Sequence, residues 1–239
     1  MFIVGIIVVV ALVVAIAIVA QKQAEKRRQE LRALATELGL SFNPGQDRSL
    51  DDKFSQFAIF NIGRSRVAYN TLSGDLEIDE HRLQAIAGDY RYTVTRQSGK
   101  NRSSRTYRLS YLLVGMPYPS IPKLLVRSEN FFDKLAGFVG FDDIDFESIE
   151  FSRKFHVSSS NKRFAYDLID PRMMEFLMQS QEHTLDMEHG WLLLVDGKRR
   201  WAPPEFKSRI NWLGQWMRRW PDHVVKSLKA GEYSNGETG

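Results

Sequence analysis

From Phe2 to Ala20 the chain reads FIVGIIVVVALVVAIAIVA, nineteen positions without a charge or a strongly polar side chain. As a helix rising ~1.5 Å per residue, this run is about 28 Å long, close to the hydrocarbon thickness of a bilayer. The pattern predicts a transmembrane helix over residues 2–20. A cleaved secretory signal would open on basic residues, carry a shorter apolar run and end on small residues. Nothing basic precedes this run, and Ile18-Val19-Ala20 is a poor cleavage site. A core helix of a soluble domain is the other alternative, and so long an unbroken apolar run is unusual there.

Residues 21–39 keep a helical pattern but turn polar and basic. QKQAEKRRQELRALATEL is rich in helix formers, with a partial apolar stripe of Ala24, Leu31, Leu34, Ala35 and Leu38. Gly39 supplies a stop and Pro44-Gly45 a turn. Sustained heptads are missing, so the segment predicts a basic juxtamembrane stalk docked on the following domain rather than a coiled-coil dimer. Lys22, Lys26, Arg27, Arg28 and Arg32 against Glu25 and Glu30 give residues 21–32 a net charge of +3. Ahead of the apolar run the positive charge is the chain's own amino group. Lysine and arginine beside a span favour the cytoplasmic side. The expectation is a single-pass protein of the cell (inner) membrane, N-terminus outside and C-terminal domain cytoplasmic.

Residues 40–229 carry the shorter alternations of a soluble domain. Ser49-Leu50-Asp51-Asp52 predicts a short helix leading into Phe54, Phe57 and Phe60, whose spacing marks a buried face. A β-rich region begins at Arg64–Asn70. The clearest hairpin pairs Gln84–Arg96 with Arg105–Val114 across the loop QSGKNRSS, where Tyr90, Tyr92 and Val94 alternate with Asp89, Arg91 and Thr93. Met116-Pro117 ends the return strand, Lys123–Val126 predicts a further strand, and Ser128 predicts the cap of a helix through Phe131, Phe132 and Leu135. Ile144–Phe151, Phe155–Val157 and Phe164–Leu168 read as strands. Asp170-Pro171 is a helix start. His183–Met187 and Trp191–Val195 form a second hairpin around Glu188-His189-Gly190. Pro204–Arg219 and Pro221–Lys229 are helices, amphipathic and Trp/Arg-rich over 205–229, and residues 230–239 read as a flexible tail. Strands and helices do not alternate as β-α-β units. The fold class is therefore α+β: an N-terminal transmembrane helix followed by a mostly antiparallel sheet domain with packed helices.

Composition narrows the function. With 43% hydrophobic and 12% aromatic residues the bulk is not disordered, and the absence of cysteine excludes disulfides, cysteine nucleophiles and thiolate metal sites. The net charge of +4 is unevenly spread. Residues 198–229 hold nine lysines and arginines against Glu205 and Asp222, a net of +7, whereas residues 33–197 come to about −4. Basic residues at the juxtamembrane segment and near the C-terminus suit an anionic membrane surface at least as well as nucleic acid.

Motifs of known chemistry are few. Asp142, Asp143, Asp145, Glu147 and Glu150 form the densest acidic cluster. On a strand, Asp143, Asp145 and Glu147 would share a face able to offer oxygens to a hard cation, but the calcium-loop pattern is incomplete and a solvated face is the plainer reading. His81, His156, His183, His189 and His223 form no zinc-helix spacing, Ser158-Ser159-Ser160 lacks the glycines of a nucleophile elbow, and no glycine-rich phosphate loop occurs. No catalytic, cofactor-binding or metal-ligating residue is assigned. Arg96, Lys100, Arg102 and Arg105 in the first hairpin loop read as a solvated tip.

The C-terminal helices hold two open readings. Trp201, Trp212, Trp216 and Trp220 interleave with Lys207, Arg209, Arg218 and Arg219, and Phe206, Ile210, Leu213, Met217 and Trp220 fall on one stripe. Either the stripe packs on the sheet with the cations in water, or the helix lies on an anionic leaflet. In the second case Lys22, Lys26, Arg27, Arg28, Trp212, Trp216, Arg218 and Arg219 are the membrane-surface contacts. Single-strand nucleic-acid binding uses similar interleaving, and tethering to a membrane argues against it.

Ala35–Phe42 (AxxLGLxF), Ala87–Val94 (AGDYRYTV), Asp143–Val157 (DIDFESIEFSRKFHV), Phe164–Leu177 (FAYDLIDPRMMEFL) and the glycine-tryptophan strand Gly190–Leu194 together resemble a family of uncharacterised bacterial single-pass membrane proteins, a domain of unknown function. The resemblance implies a bacterial membrane protein with one α+β domain and brings no activity or cofactor. The functional expectation is a non-catalytic binding module whose partners are the lipid bilayer, anionic lipid headgroups and an unidentified protein. A membrane-bound enzyme with a dispersed site is the alternative.

Overall fold

The computed structural model of the chain describes residues 2–99, 101–118, 120–128, 143–181 and 183–233. Helix α1 (Phe2–Glu37) runs from the apolar segment into the domain without a break. From Ile6 to Val19 its side chains stand exposed, while Leu31, Leu34 and Ala35 at the other end are buried in the core. Among the described residues it is the helix long and apolar enough to cross a membrane, and its apolar stretch is not buried by the other described residues. Gly39, at φ +69°, ends it in the left-handed conformation that glycine adopts without a Cβ penalty.

Beyond Gly39 come β1 (Ser41–Asp47), the short helix α2 (Leu50–Lys53), a single 3₁₀ turn (Ala58–Asn61), β2 (Arg64–Ile78), β3 (His81–Ser98), β4 (Asn101–Gly115) and β5 (Leu124–Ser128). After residues 129–142 follow α3 (Ile149–Lys154), β6 (Phe155–Ser159), α4 (Lys162–Leu168), α5 (Pro171–Gln179), β7 (Thr184–Glu188), β8 (Trp191–Val195), α6 (Pro203–Arg218) and α7 (Asp222–Ala230). Eight strands form one sheet in the order β1-β2-β3-β4-β8-β7-β5-β6. Its pairings are antiparallel, from Ser41↔Ser73 at one edge to Leu125↔Ser158 at the other. The α+β class read from the sequence is the observed one.

Period-two alternation divides the sheet into two buried faces. Leu72, Ala85, Ala87, Leu112, Val114, Leu192 and Leu194 point to the face covered by α1, α6 and the smaller helices. Tyr90, Tyr92, Tyr111, Leu113, Leu193 and Val195 point to the other, where Leu50, Phe54, Phe57 and Phe60 cover them. The phenylalanine triplet is thus a lid over three tyrosines, with Phe60 edge-on to Tyr90 at 5.0 Å and to Tyr111 at 5.8 Å.

Several elements differ from the sequence expectation. Residues 143–148 are irregular and Ile149–Lys154 is helical instead of a strand over 144–151, because the Ser148 hydroxyl accepts a hydrogen bond from Phe151 N and caps a turn. Phe164–Leu168 is likewise helical: the Asn161 side chain caps Phe164 N, and Phe164, Ala165 and Leu168 share the buried helical face. Strand pairing in the β3–β4 hairpin continues to Ser98↔Asn101, so the expected eight-residue loop shrinks to a tight turn with Gly99 at φ +58°. Ser128 ends β5, and the helix expected after it lies outside the described residues. Of the expected tail, residues 230–233 are described, with Tyr233 buried and donating to Asp167 at 2.9 Å, and residues 234–239 lie outside the described residues.

One buried charge joins these parts. Asp89 on β3 has no exposed surface and accepts from Arg27 of α1 at 2.6 and 2.7 Å, from Asn70 of β2 at 3.0 Å and from Ser110 of β4 at 2.8 Å. Arg27 also donates to the Trp201 carbonyl at 2.9 Å, and Trp201 N donates to Ser110 Oγ at 3.0 Å, which brings in the residues leading to α6. Removing one partner of such a pair leaves an uncompensated buried charge. Arg27→Ala and Asp89→Ala are each expected to cost about 3–5 kcal/mol, and Arg27→Leu with Asp89→Leu together to recover most of it. Denaturant unfolding of the full chain in detergent micelles reads both.

Candidate functional site

The residues expected at the membrane surface divide between the two ends of the domain. Lys22, Lys26 and Arg28 are exposed just beyond the apolar run, with Arg28 paired to Glu25 at 3.3 Å and Lys26 to Glu30 at 3.8 Å. Arg27 is turned inward to Asp89 and is not a free headgroup contact. Lys198, Arg199 and Arg200 lie in the segment leading to Trp201, the residue whose carbonyl Arg27 holds. Lys198 sits over the Tyr107 ring at 4.9 Å and Arg199 forks onto Glu205 at 3.0 Å. In the sequence these three enter only the net charge of residues 198–229, since nothing local ties them to residues 22–28.

The other four expected contacts are far from the span. Helix α6 starts beside Arg27. Lys207 then reaches Glu37 at 2.6 Å, and Arg218 reaches Asp79 in the β2–β3 turn at 2.8 Å. Glu37 is itself seventeen residues beyond Ala20, about 25 Å along α1, so residues 212–219 are set well beyond the apolar stretch of α1. Trp216 is buried, edge-on to Trp220 at 5.0 Å. Trp212 stacks on Phe176 at 5.4 Å, and Arg219 covers the opposite part of that stack, 4.1 Å from the Phe176 ring centre. The apolar stripe of α6 packs on the sheet, and of the four residues read as lipid contacts Trp216 is turned into the core.

Two buried polar groups are the nearest approach to catalytic machinery. His183 pairs through Nδ1 with Asp196 and lies edge-on to Trp212 at 4.4 Å. Asp196 also accepts from Arg209 at 2.6 and 2.8 Å, and Arg209 donates on to Gln181 at 3.1 Å. Burial pushes the Asp196 carboxyl up, but His183 and Arg209 outweigh it and hold the group below the usual carboxylate range. His183 donates to no hydroxyl among the described residues, so the cluster has an imidazole and its orienting acid without a nucleophile. Its bonds tie α6 to β8. Asp186 is the second group, with one oxygen unpartnered and its pKa pushed up to about 7 by burial, against the lowering pull of Lys123.

The acidic cluster takes a different form from a strand face. Asp143 accepts from Val157 N at 3.0 Å and faces His156 at 3.2 Å, and Asp142 lies outside the described residues. Asp145, Glu147 and Glu150 instead border an open groove of about 1040 Å³ whose other wall is α5, with Met174, Met178, Phe146 and Ile169 in its lining. Among the described residues no group of three or more acidic or histidine side chains is arranged to hold a metal ion.

What the fold and these surfaces define is a membrane protein with one α+β domain carried on its N-terminal helix. No family model matches the chain, and no curated protein matches it. Among solved structures, the crystal structure of the mycobacterial trehalose monomycolate transport factor A, TtfA, is similar to it, with a TM-score of 0.55 and 13% identity over 83% of this chain and 96% of that one. At that identity the likeness is one of fold.

Two outcomes follow from these placements. Trp216→Ala should lower stability by about 3–5 kcal/mol while leaving the salt dependence of liposome association unchanged, as co-sedimentation with anionic vesicles would report. For Asp186, the unfolded carboxyl ionises near 3.8 and the folded one near 7, so the folded state holds its proton more tightly. The stability this confers is complete below about pH 4 and is lost as pH rises through about 7. Asp186→Asn should therefore raise the unfolding midpoint most at pH 8, less at pH 5, and change it little below about pH 4.

Proposed function

We propose that this is a single-pass inner-membrane protein of a bacterium, its N-terminus outside and its domain in the cytoplasm, and that the domain is a non-catalytic binding module held at a fixed height above the bilayer. The observation that carries this reading is the unbroken helix α1, exposed and apolar over Ile6–Val19 and locked into the sheet by the buried Arg27–Asp89 pair. Between Ala20 and Arg27 there are only about two turns of helix, with no glycine or proline to act as a hinge. A chain that merely needed to stay near a membrane could use a flexible tether. A rigid one fixes both the distance and the rotational setting of whatever the domain presents.

Orientation rests on charge. Lys22, Lys26 and Arg28 are exposed at the end of the span, with Lys198 and Arg200 of the neighbouring segment adding to the same side, which favours the cytoplasm and an anionic leaflet. The fold neighbour TtfA is a transport factor, and an accessory role in a transport process is the specific form of the binding-module reading that this likeness supports.

A tag placed after Gly239, with protease added to intact and to lysed spheroplasts, tests the orientation. The tag should survive until lysis, and cleavage in intact spheroplasts would overturn the cytoplasmic assignment. Cross-linking in the membrane followed by purification tests the module: a protein recovered in constant ratio is expected, and a tightly held metabolite or metal with no such protein would favour an enzyme.

A further inference from the structure

We propose that the groove between residues 145–150 and α5 receives a short basic amphipathic helix of a partner protein. This deepens the binding-module reading and rests on it. The groove is built as a docking site for a helix rather than as a pocket for a small molecule. Its floor includes Met174 and Met178, one turn apart on α5, with Phe146 and Ile169 beside them. Helix-in-groove recognition needs such an apolar strip, and methionine adapts its shape to the incoming side chains. The walls are fixed: Lys154 of α3 donates to the Met178 carbonyl at 3.0 Å, and Tyr166 donates to the Asp145 carbonyl at 3.1 Å.

Two further observations point to an occupant. Among the described residues beyond α1, the large apolar side chains left exposed are Ile149 at 69% and Tyr166 at 49%. Tyr166 lines the groove, and Ile149 stands between Ser148 and Glu150, which also line it. Tyr166 thus adds exposed aromatic surface to the apolar lining of the groove. The second observation is charge. Of the five carboxylates that line the groove, Asp145, Glu147, Glu150 and Glu175 have no ion pair among the described residues and Asp170 faces Arg172, whereas Asp143 and Asp167 nearby face His156 and Arg163. An apolar floor inside a rim of uncompensated carboxylates is complementary to a helix with leucine-like side chains on one face and lysine or arginine at its margins.

Position excludes lipid as the occupant. Asp170 borders both this groove and the hollow lined by Arg218 and Arg219, so the groove lies at the end of the domain away from the span. An anionic headgroup could not reach it and would be repelled by the rim.

The chain has no cysteine, so Gln179→Cys on the rim gives a unique attachment point for an environment-sensitive dye. The labelled full chain in zwitterionic nanodiscs would be titrated with a synthetic leucine–lysine amphipathic helix and with its leucine–glutamate counterpart, empty nanodiscs setting the baseline. The expected result is a saturable dye shift with the basic peptide and none with the acidic one. Glu147→Lys with Glu150→Lys should raise Kd about tenfold or more, and so should Met174→Asp, although it adds negative charge. Equal or tighter binding by Met174→Asp would show cations condensing on an acidic surface and overturn the proposal, as would indifference to the charge reversal. A dye shift that grows with protein density in the absence of peptide would assign the groove to a second copy and overturn it as well. Each variant is first required to keep the parent's unfolding midpoint. Failure here leaves the protease experiment on orientation unaffected, and failure there leaves peptide binding unaffected.

Discussion

The buried pair of Arg27 and Asp89 is the constraint on which the rest of the structure depends. A carboxylate with no exposed surface is tolerable only when its lone pairs are filled, and Asp89 receives hydrogen bonds from α1, β2 and β4 at once. A buried ion pair is weak evidence of stability, because apolar residues of the same shape would often do as well. Its value is geometric. Only one rotational setting of α1 puts Arg27 over Asp89, and that setting also turns Leu31, Leu34 and Ala35 into the core. The pair therefore acts as a key that fixes how the membrane span enters the domain.

Once that key is turned, the two ends of the domain acquire different environments. Basic side chains gather where α1 leaves the domain, and the uncompensated carboxylates gather beyond the far end of α6. Helix α6 connects the two, beginning at the Trp201 carbonyl held by Arg27 and ending at Arg218 on Asp79. Its tryptophans are spent along the way. Trp216 fills the core and Trp212 closes a stack with Phe176 and His183, so the aromatic-plus-basic composition that invites a lipid reading is consumed by packing.

Features set by local pattern were legible in the sequence. The apolar run of residues 2–20, the two hairpins and the Asp170-Pro171 helix start all depend on neighbours within a few residues, and the Asp170 carboxylate does accept from Met173 N at 2.8 Å. Where local pattern was ambiguous it misled: Ile144 and Phe146 alternate like a strand, and the Ser148 cap turns the chain into a helix that buries Phe151 and exposes Ile149. Asp89 was legible only as the polar position between buried neighbours, because its partner Arg27 lies 62 residues earlier. The groove was hidden for the same reason. One wall looked like a solvated strand face, the other only like a helix beginning at Asp170-Pro171, and only the fold sets them opposite each other.

The polar groups inside the domain bear on whether it is an enzyme. Catalytic groups sit in a cleft that substrate can enter, with a nucleophile, base and orienting acid in sequence. Here His183 and Asp196 are closed over by Trp212 and Arg209, and the bonds they make join β8 to α6. Asp89 and Arg27 join α1 to the sheet. Each buried polar cluster thus links two elements, whereas the accessible apolar surface with unspent charge lies at a groove that contains no histidine, serine–histidine pair or metal-ligand set among its lining residues. Chemistry that fixes elements on the inside, with complementarity left open on the outside, is what supports the proposal of a surface presented to a partner.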